Sequence, residues 1–343
     1  MSSASVHRNS RSERLWPGVA LLAACALFAP LVLVDYQLIF AAEILIWGLF
    51  ALSFGLVYGF GGMLSFAQAL FFGAGCYGFN LATFKYSLGT WGAIAMGFSA
   101  AVLFAIPTGY IATRVRQHHF LIVTVILSVL TSAVLASGHW RWIAGPYVTR
   151  SLPFVPSLPL GPWESSFGSE VVSFYFTIVM VAAAVWLAWR LTSSPFGKAL
   201  RAIRDNESRA ELIGLNVNLL RWIMFVFAGG IAGLSGTLYV LLARYTNLEF
   251  FEWTYSGKAA VAAIVGGASS LAGPFAGMAF YLLTAEYLSR YFQQFAILFG
   301  LLLLIVLRFA PDGLYVATAR IVRDACRRLL ARSAARRRAA EEK

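Results

Sequence analysis

The sequence predicts an all-α, polytopic membrane protein of about ten transmembrane helices, and three observations predict it. Of 343 residues, 59% are hydrophobic and only 12% charged, about half the charged fraction of a soluble domain. Apolar runs of roughly 20 residues, the length needed to cross a bilayer, recur along nearly the whole chain. The basic residues sit between these runs and in the tails, where they follow an inside–outside bias rather than a nucleic-acid footprint.

Taken in order, the runs fall near 16–34, 38–59, 63–84, 90–112, 119–138, 171–190, 222–242, 254–270, 273–290 and 292–309. Arg8, Arg11 and Arg14 before the first run imitate a signal peptide, but the run is too long and lacks a cleavage site, so it reads as a retained span. An even count places both termini on one side. With the termini in the cytoplasm, only Lys85, Arg141, Arg150, Arg244, Lys258 and Arg290 of the 27 basic residues fall outside, which favours that orientation. The expected organisation is therefore a basic cytoplasmic N-terminus (1–15), a membrane domain (16–310) and a basic cytoplasmic tail (311–343). An outer loop at 139–169, rich in Trp and Pro, reads as a lid on the helix ends or as a landing place for an outside partner. In the tail, Ile321, Ala325 and Leu329 recur at helical spacing among arginines, which fits an amphipathic helix on anionic membrane lipids or a disordered tail.

The polar loop 192–221 is the strongest local feature. Ser194 before Pro195 reads as an N-cap with proline at the first helical position. Lys198, Arg201 and Asp205 fall on one face of the following helix, and Ala199, Leu200 and Ile203 on the other. Asp205-Asn206-Glu207 interrupts that helix. Ser208 and Glu211 have capping-box spacing, and Gly214 is placed to end a second, short helix in the left-handed region. Two capped helices on a charged loop suit the gripping of another protein at the membrane surface; a plain solvated loop is the alternative.

Residues 59–77 hold the other signal. Gly59, Gly61 and Gly62 interrupt the apolar pattern, and Ser65, Ala69 and Gly73 then recur every four residues, with Gln68 alongside. Irregular backbone at membrane depth belongs inside protein or along a cavity. The candidate translocation path is therefore Gly61, Gly62, Ser65, Gln68, Gly73 and Tyr77, with tight helix packing as the competing reading. Gly266-Gly267 to Ser270 parallels Gly61-Gly62 to Ser65, the trace an internal structural repeat leaves.

Other chemistries find little support. Within the expected spans the acidic residues are Glu43 and Glu286, few for an ion-coupled carrier. Gly197-Lys198 and Gly257-Lys258 lack the remainder of a P-loop, so ATP and Mg would have to be bound by partners and no cofactor is expected in this chain. His7, His118, His119 and His139 show no metal spacing, and Cys25, Cys76 and Cys326 lie far apart. Neither a metal site nor catalysis by an embedded transferase or protease is expected.

Four stretches together, 62–77 (GMLSFAQALFFGAGCY), 194–207 (SPFGKALRAIRDNE), 266–274 (GGASSLAGP) and 309–314 (FAPDGL), resemble the branched-chain amino-acid ABC transporter permeases. The larger of that family's two paralogous permease subunits is the one most similar. The resemblance implies a type II-like importer permease in the cytoplasmic membrane. It also implies a second permease subunit, two cytosolic ATPase subunits that hydrolyse ATP, and an external substrate-binding protein. Under it, the ATPase coupling loop carries Arg201, Arg204, Asp205, Asn206, Glu207, Ala210 and Gly214. Only Ala210 and Gly214 match the general importer pattern, which has Glu-Ala-Ala six residues before its glycine. Met63 replaces a glutamine common in the family, removing a polar group from the expected path. Urea or short amides are the alternative solutes within the family, and an ion-coupled secondary transporter is the alternative outside it.

Overall fold

A computed structural model describes residues 34–115, 117–137, 149–151, 157–160, 163–166, 169–291, 300, 308 and 313–315. Ten helices are assigned here: α1 Asp35–Gly55, α2 Gln68–Tyr86, α3 Thr90–Ala112, α4 Gln117–Ala136, α5 Glu170–Ser193, α6 Pro195–Asp205, α7 Glu207–Leu212, α8 Val217–Ala243, α9 Trp253–Gly266 and α10 Gly273–Tyr291. The first expected span near 16–34, nearly all of the last near 292–309, and almost all of both tails lie outside the described residues. Among the described residues, five helices are long and apolar enough to cross a membrane: α1 with its extension to Phe60, and α3, α4, α5 and α8.

The hub is α2. Fifteen of its 19 residues are buried, so it meets protein on all sides. Small residues let its neighbours come close. Gly78 faces the backbone of Gly97 on α3, and Gly75 lies against the backbone of Gly233 on α8. The α3–α8 contact is equally tight, with Ala105 against Gly229 and Phe225 against Gly109. α1 packs on this unit through the Ser235 hydroxyl, which donates to the Ile46 carbonyl at 2.6 Å. Phe275 of α10 lies over Gly48, and Phe174 of α5 joins Leu38 and Ala42.

On the side where α2 ends, a short strand β1 (Thr149–Ser151) pairs antiparallel with β4 (Tyr245–Asn247), and β2 (Ser157–Leu160) pairs with β3 (Trp163–Ser166). The segment expected as an outer loop is thus tied by backbone bonds to the turn after α8.

Three local expectations change. The span expected from 63 begins as a helix only at Gln68, so Ser65 precedes the helix and does not share a helical stripe with Ala69 and Gly73. The span expected over 254–270 is a 14-residue helix that stops at Gly266, about 21 Å long and short for a bilayer. In the polar loop the cap of α7 is Asn206, whose side chain accepts from the Arg209 N–H at 2.9 Å, and not Ser208. Asn206 wins because its extended backbone (φ −161°, ψ 102°) already ends α6, leaving its carbonyl side chain free to close the next turn. Pro195 and Gly214 take their expected places: Pro195 opens α6, and Gly214 has φ +85° just beyond α7.

Candidate translocation path and coupling loop

The path residues gather where α1 breaks and α2 begins. α1 ends in a π-helical turn, Leu56–Phe60, a form that marks functional sites inside longer helices. Gly61 continues the turn, and Gly62 reverses the chain at φ +69°, a conformation that favours glycine. The irregular stretch to Ala67 keeps its polar backbone satisfied from two other helices. The Phe66 N–H donates to Thr124 Oγ1 of α4 at 3.1 Å. Its carbonyl accepts from Ser128 of α4 at 3.0 Å and from Ser256 of α9 at 2.8 Å. Ser256 Oγ in turn accepts from the Ala69 N–H at 2.8 Å. Non-helical backbone is held here inside the protein by side chains that substitute for water.

Of the six expected path residues, five are buried and Gly62 is half-buried. Ser65 Oγ accepts from the Ala67 N–H at 3.2 Å. The Ser53 hydroxyl lies 2.6 Å from the Phe50 carbonyl and 3.3 Å from Gln68 Oε1, while Gln68 Nε2 is buried without a partner among the described residues. Gly73 lies against the ring of Phe251, which also packs on Tyr77 at 5.4 Å between centroids. The structure thus brings Gly61, Gly62, Ser65 and Gln68 together at the break, and sets Gly73 and Tyr77 further along α2 against the 3₁₀ turn Leu248–Phe251.

The second glycine break, between α9 and α10, meets the first. A Cβ at Gly59 would collide with the Ala268 carbonyl, and one at Gly55 would come within 3.0 Å of Pro274. The second break therefore touches the end of α1 and the π-helical turn that leads into the first.

The polar loop holds onto this break. Leu200 and Ile203 of α6 are buried, and Arg204 lays its stem along Gly62 and donates from Nη1 to the Gly59 carbonyl. Arg201 also turns inward, donating to the Thr192 carbonyl at 2.8 Å and to Gly197 at 3.2 Å, with its guanidinium 5.9 Å from the Phe60 ring. Glu207 takes both guanidinium branches of Arg221 on α8, at 2.7 and 2.9 Å; the Arg221 side chain is only 8% exposed. Ala210 is buried with Ile203 and Val217. Of the seven expected coupling residues, then, Arg201, Arg204, Glu207 and Ala210 fasten the loop to the membrane domain. Asn206 caps α7, Gly214 ends the loop, and Asp205 is exposed. Facing outward beside the exposed Asp205, Arg209 and Glu211 is an apolar pair absent from the expected set, Leu212 at 87% and Ile213 at 70% exposure. Its sequence signal is two adjacent aliphatic residues in an otherwise polar loop.

A second feature is also new. Trp47 stacks on Phe72 at 5.1 Å and on Tyr255 at 5.9 Å, with Tyr239 edge-on at 5.2 Å, and Phe250 closes the cluster against Tyr239 and Tyr255. These rings join α1, α2, α8 and α9. The Trp47 indole N–H donates to Glu43 at 3.2 Å, one turn earlier on α1, so this carboxylate of a membrane-spanning helix is hydrogen-bonded. Among the described residues no cluster of His, Cys, Asp and Glu is arranged to hold a metal.

Comparison with known proteins settles the class. Residues 36–310 match the model of the family described as branched-chain amino acid transport system, permease component. The chain belongs to this family. Its relatives include both permeases of one such system. The LivM permease of Escherichia coli K12, the larger of the two, is 24% identical over 293 residues, covering 80% of this chain and 68% of LivM. The LivH permease of the same strain is 24% identical over 284 residues, covering 78% of this chain and 90% of LivH. A guanosine ABC transporter permease of Bacillus subtilis, NupQ, is 30% identical over 128 residues, covering 36% of this chain and 38% of NupQ. No solved structure matches. The chain is an integral membrane protein and a permease component of a transport system.

Proposed function

We propose that the chain is a permease subunit of an ATP-driven importer that carries branched-chain or related amino acids across the cytoplasmic membrane. In this reading about ten helices form a type II-like permease with both termini in the cytoplasm. It pairs with a paralogous permease, two cytosolic ATPase subunits supply ATP and Mg, and a binding protein delivers solute from outside.

The observation that carries the mechanism is the bridge from Arg204 to Gly59 and Gly62. Solute crosses by alternating access, and the ATPase can bias the two states only through something it touches and that differs between them. The α6–α7 loop is anchored on the break in α1, and that break is anchored on the break between α9 and α10. A shift of α6 therefore moves both interrupted segments together, as rigid elements passing a displacement through packed contacts. Leu212 and Ile213 are the part of the loop offered to the ATPase. The buried set from Ser65 to Tyr77 is the closed path in this conformation, and its opening exposes Gln68 and Ser65 to the solute.

Reconstituting the assembly in liposomes with trapped ATP, and offering leucine, valine, urea and acetamide through the binding protein, tests the substrate assignment. Leucine or valine uptake is the expected result. Uptake of urea alone would move the chain to the amide branch of the family.

A further inference from the structure

We propose that this chain carries a site for an anionic phospholipid headgroup where α3 ends and α8 begins. A cavity of about 590 Å³ opens there. Its walls combine Tyr110 and Arg114 with Asn216, Asn218 and Trp222, and among the described residues no carboxylate lines it. The Arg114 guanidinium lies 4.0 Å from the centre of the Tyr110 ring. That stacking holds the planar group in place while leaving its N–H edge open, and Arg114 makes no ion pair among the described residues. The opposite wall is the first turn of α8, where the Asn216 side chain accepts from the Leu219 N–H at 3.1 Å. The Val217 and Asn218 N–H groups have no acceptor earlier in the helix, and the positive end of a 27-residue helix faces the cavity.

Geometry selects a lipid over a soluble anion. Trp222 donates to the Ile106 carbonyl at 2.9 Å and, with Tyr110, gives the cavity the amphipathic rings typical of the headgroup level. Leu103, Ile106 and Tyr110 are exposed and lie three and four residues apart on α3, and Leu219 and Ile223 are exposed four apart on α8. These rows leave the cavity along the membrane-crossing bodies of both helices, so an acyl chain can follow them while the phosphate sits on Arg114. Basic pockets between transmembrane helices bind headgroups in this way. The cavity also adjoins the exit of the α6–α7 loop, because Asn216 follows Gly214 by two residues.

The assignment is independent of the transported solute. It is tested on detergent-purified, delipidated protein by native mass spectrometry with dioctanoyl phosphatidylglycerol, dioctanoyl phosphatidylcholine and inorganic phosphate as separate probes. Phosphatidylglycerol is expected to bind one site at least about tenfold more tightly than either other probe. Arg114→Gln should weaken it by about tenfold or more, and Lys85→Gln, a charge removed at the far end of α2, should leave it unchanged. Asn218→Asp provides a variant that keeps the helix, since an acidic residue suits a helix N-terminus, yet repels the headgroup; it too should weaken binding. Equal affinity for phosphatidylcholine, or unchanged affinity in both Arg114→Gln and Asn218→Asp, would overturn the site. Inorganic phosphate binding as tightly as phosphatidylglycerol would overturn its assignment to a lipid.

Discussion

Replacing Arg204 with glutamine should uncouple ATP hydrolysis from uptake while leaving the assembly intact. Arg204 spans from α6 to the break in α1. It donates to the Gly59 carbonyl and covers Gly62, and its pairing with Asp205 at 3.3 Å is a solvent-exposed contact of little energetic weight. A hydrogen bond from a charged donor contributes about 1.5 to 3 kcal/mol. With its side chain 37% exposed, Arg204 belongs at the lower end, about 1.5 to 2 kcal/mol. If that contact differs between the two states of the cycle, its loss reduces the bias on the break by roughly ten- to thirtyfold. The assay is solute moved per ATP hydrolysed in proteoliposomes, beside the amount of ATPase subunit that co-purifies. Arg204→Gln should lower the ratio by about tenfold or more with co-purification unchanged, and Arg204→Lys, which keeps a point charge but not the fork, should fall between. A wild-type ratio in Arg204→Gln would refute the bridge.

Four further outcomes follow from the same geometry. Leu212→Asp with Ile213→Asp should leave folding unchanged, since both side chains point into solvent, but abolish co-purification of the ATPase subunits; retained co-purification would place the docking contact elsewhere. Glu207→Gln should strip the charge from the partner of the nearly buried Arg221 and cost roughly 1 to 3 kcal/mol locally, read as faster amide exchange across Pro195–Leu212 than in wild type. Gly59→Ala places a methyl on the Ala268 carbonyl, and overpacking of about 1 to 3 kcal/mol should lower the thermal unfolding midpoint in detergent. Ser256→Ala removes both its bond to the Phe66 carbonyl and its acceptance from the Ala69 N–H, and should destabilise by about 1 to 3 kcal/mol, with the Ala69 amide losing exchange protection.

How far the sequence speaks depends on the range of the interaction. Pro195 and Gly214 were legible because their constraints are local: a fixed φ suits the first helical position, and φ +85° suits glycine. Five of the apolar runs were legible because length and hydropathy alone make a helix able to cross a membrane. Ser65 was misplaced because helix periodicity assumes that the backbone bonds to itself. Here Phe66 finds Thr124, Ser128 and Ser256 instead, 58 to 190 residues away, which no window of sequence displays. The same holds for Glu207 and Arg221, 14 apart and joined across a turn, and for Arg204 on Gly59, 145 residues earlier. Loop composition does not tell which charges also bond inward: Arg201, Arg204 and Glu207 are held by the loop's own scaffold, while Lys198, Asp205, Arg209 and Glu211 stay exposed beside Leu212 and Ile213. The likeness of the two glycine motifs is visible in the sequence, but the contact of Gly59 with Ala268 is not, since similarity of motif carries no information about proximity. The aromatic cluster escaped for a related reason: Trp47, Phe72, Tyr239 and Tyr255 come from four helices, and only the Glu43–Trp47 spacing of four is local.

The account rests on this chain moving solute as one part of an ATP-driven assembly. The most direct test purifies the chain with whatever accompanies it from its native membrane, reconstitutes the preparation in liposomes, and compares leucine uptake driven by trapped ATP with uptake driven by a proton or sodium gradient. The account predicts ATP-dependent uptake, with a second permease and ATPase subunits present, and no response to the gradient. Gradient-driven uptake by the chain alone would contradict it and would turn attention to Glu43, the carboxylate held by Trp47 at the edge of the aromatic cluster.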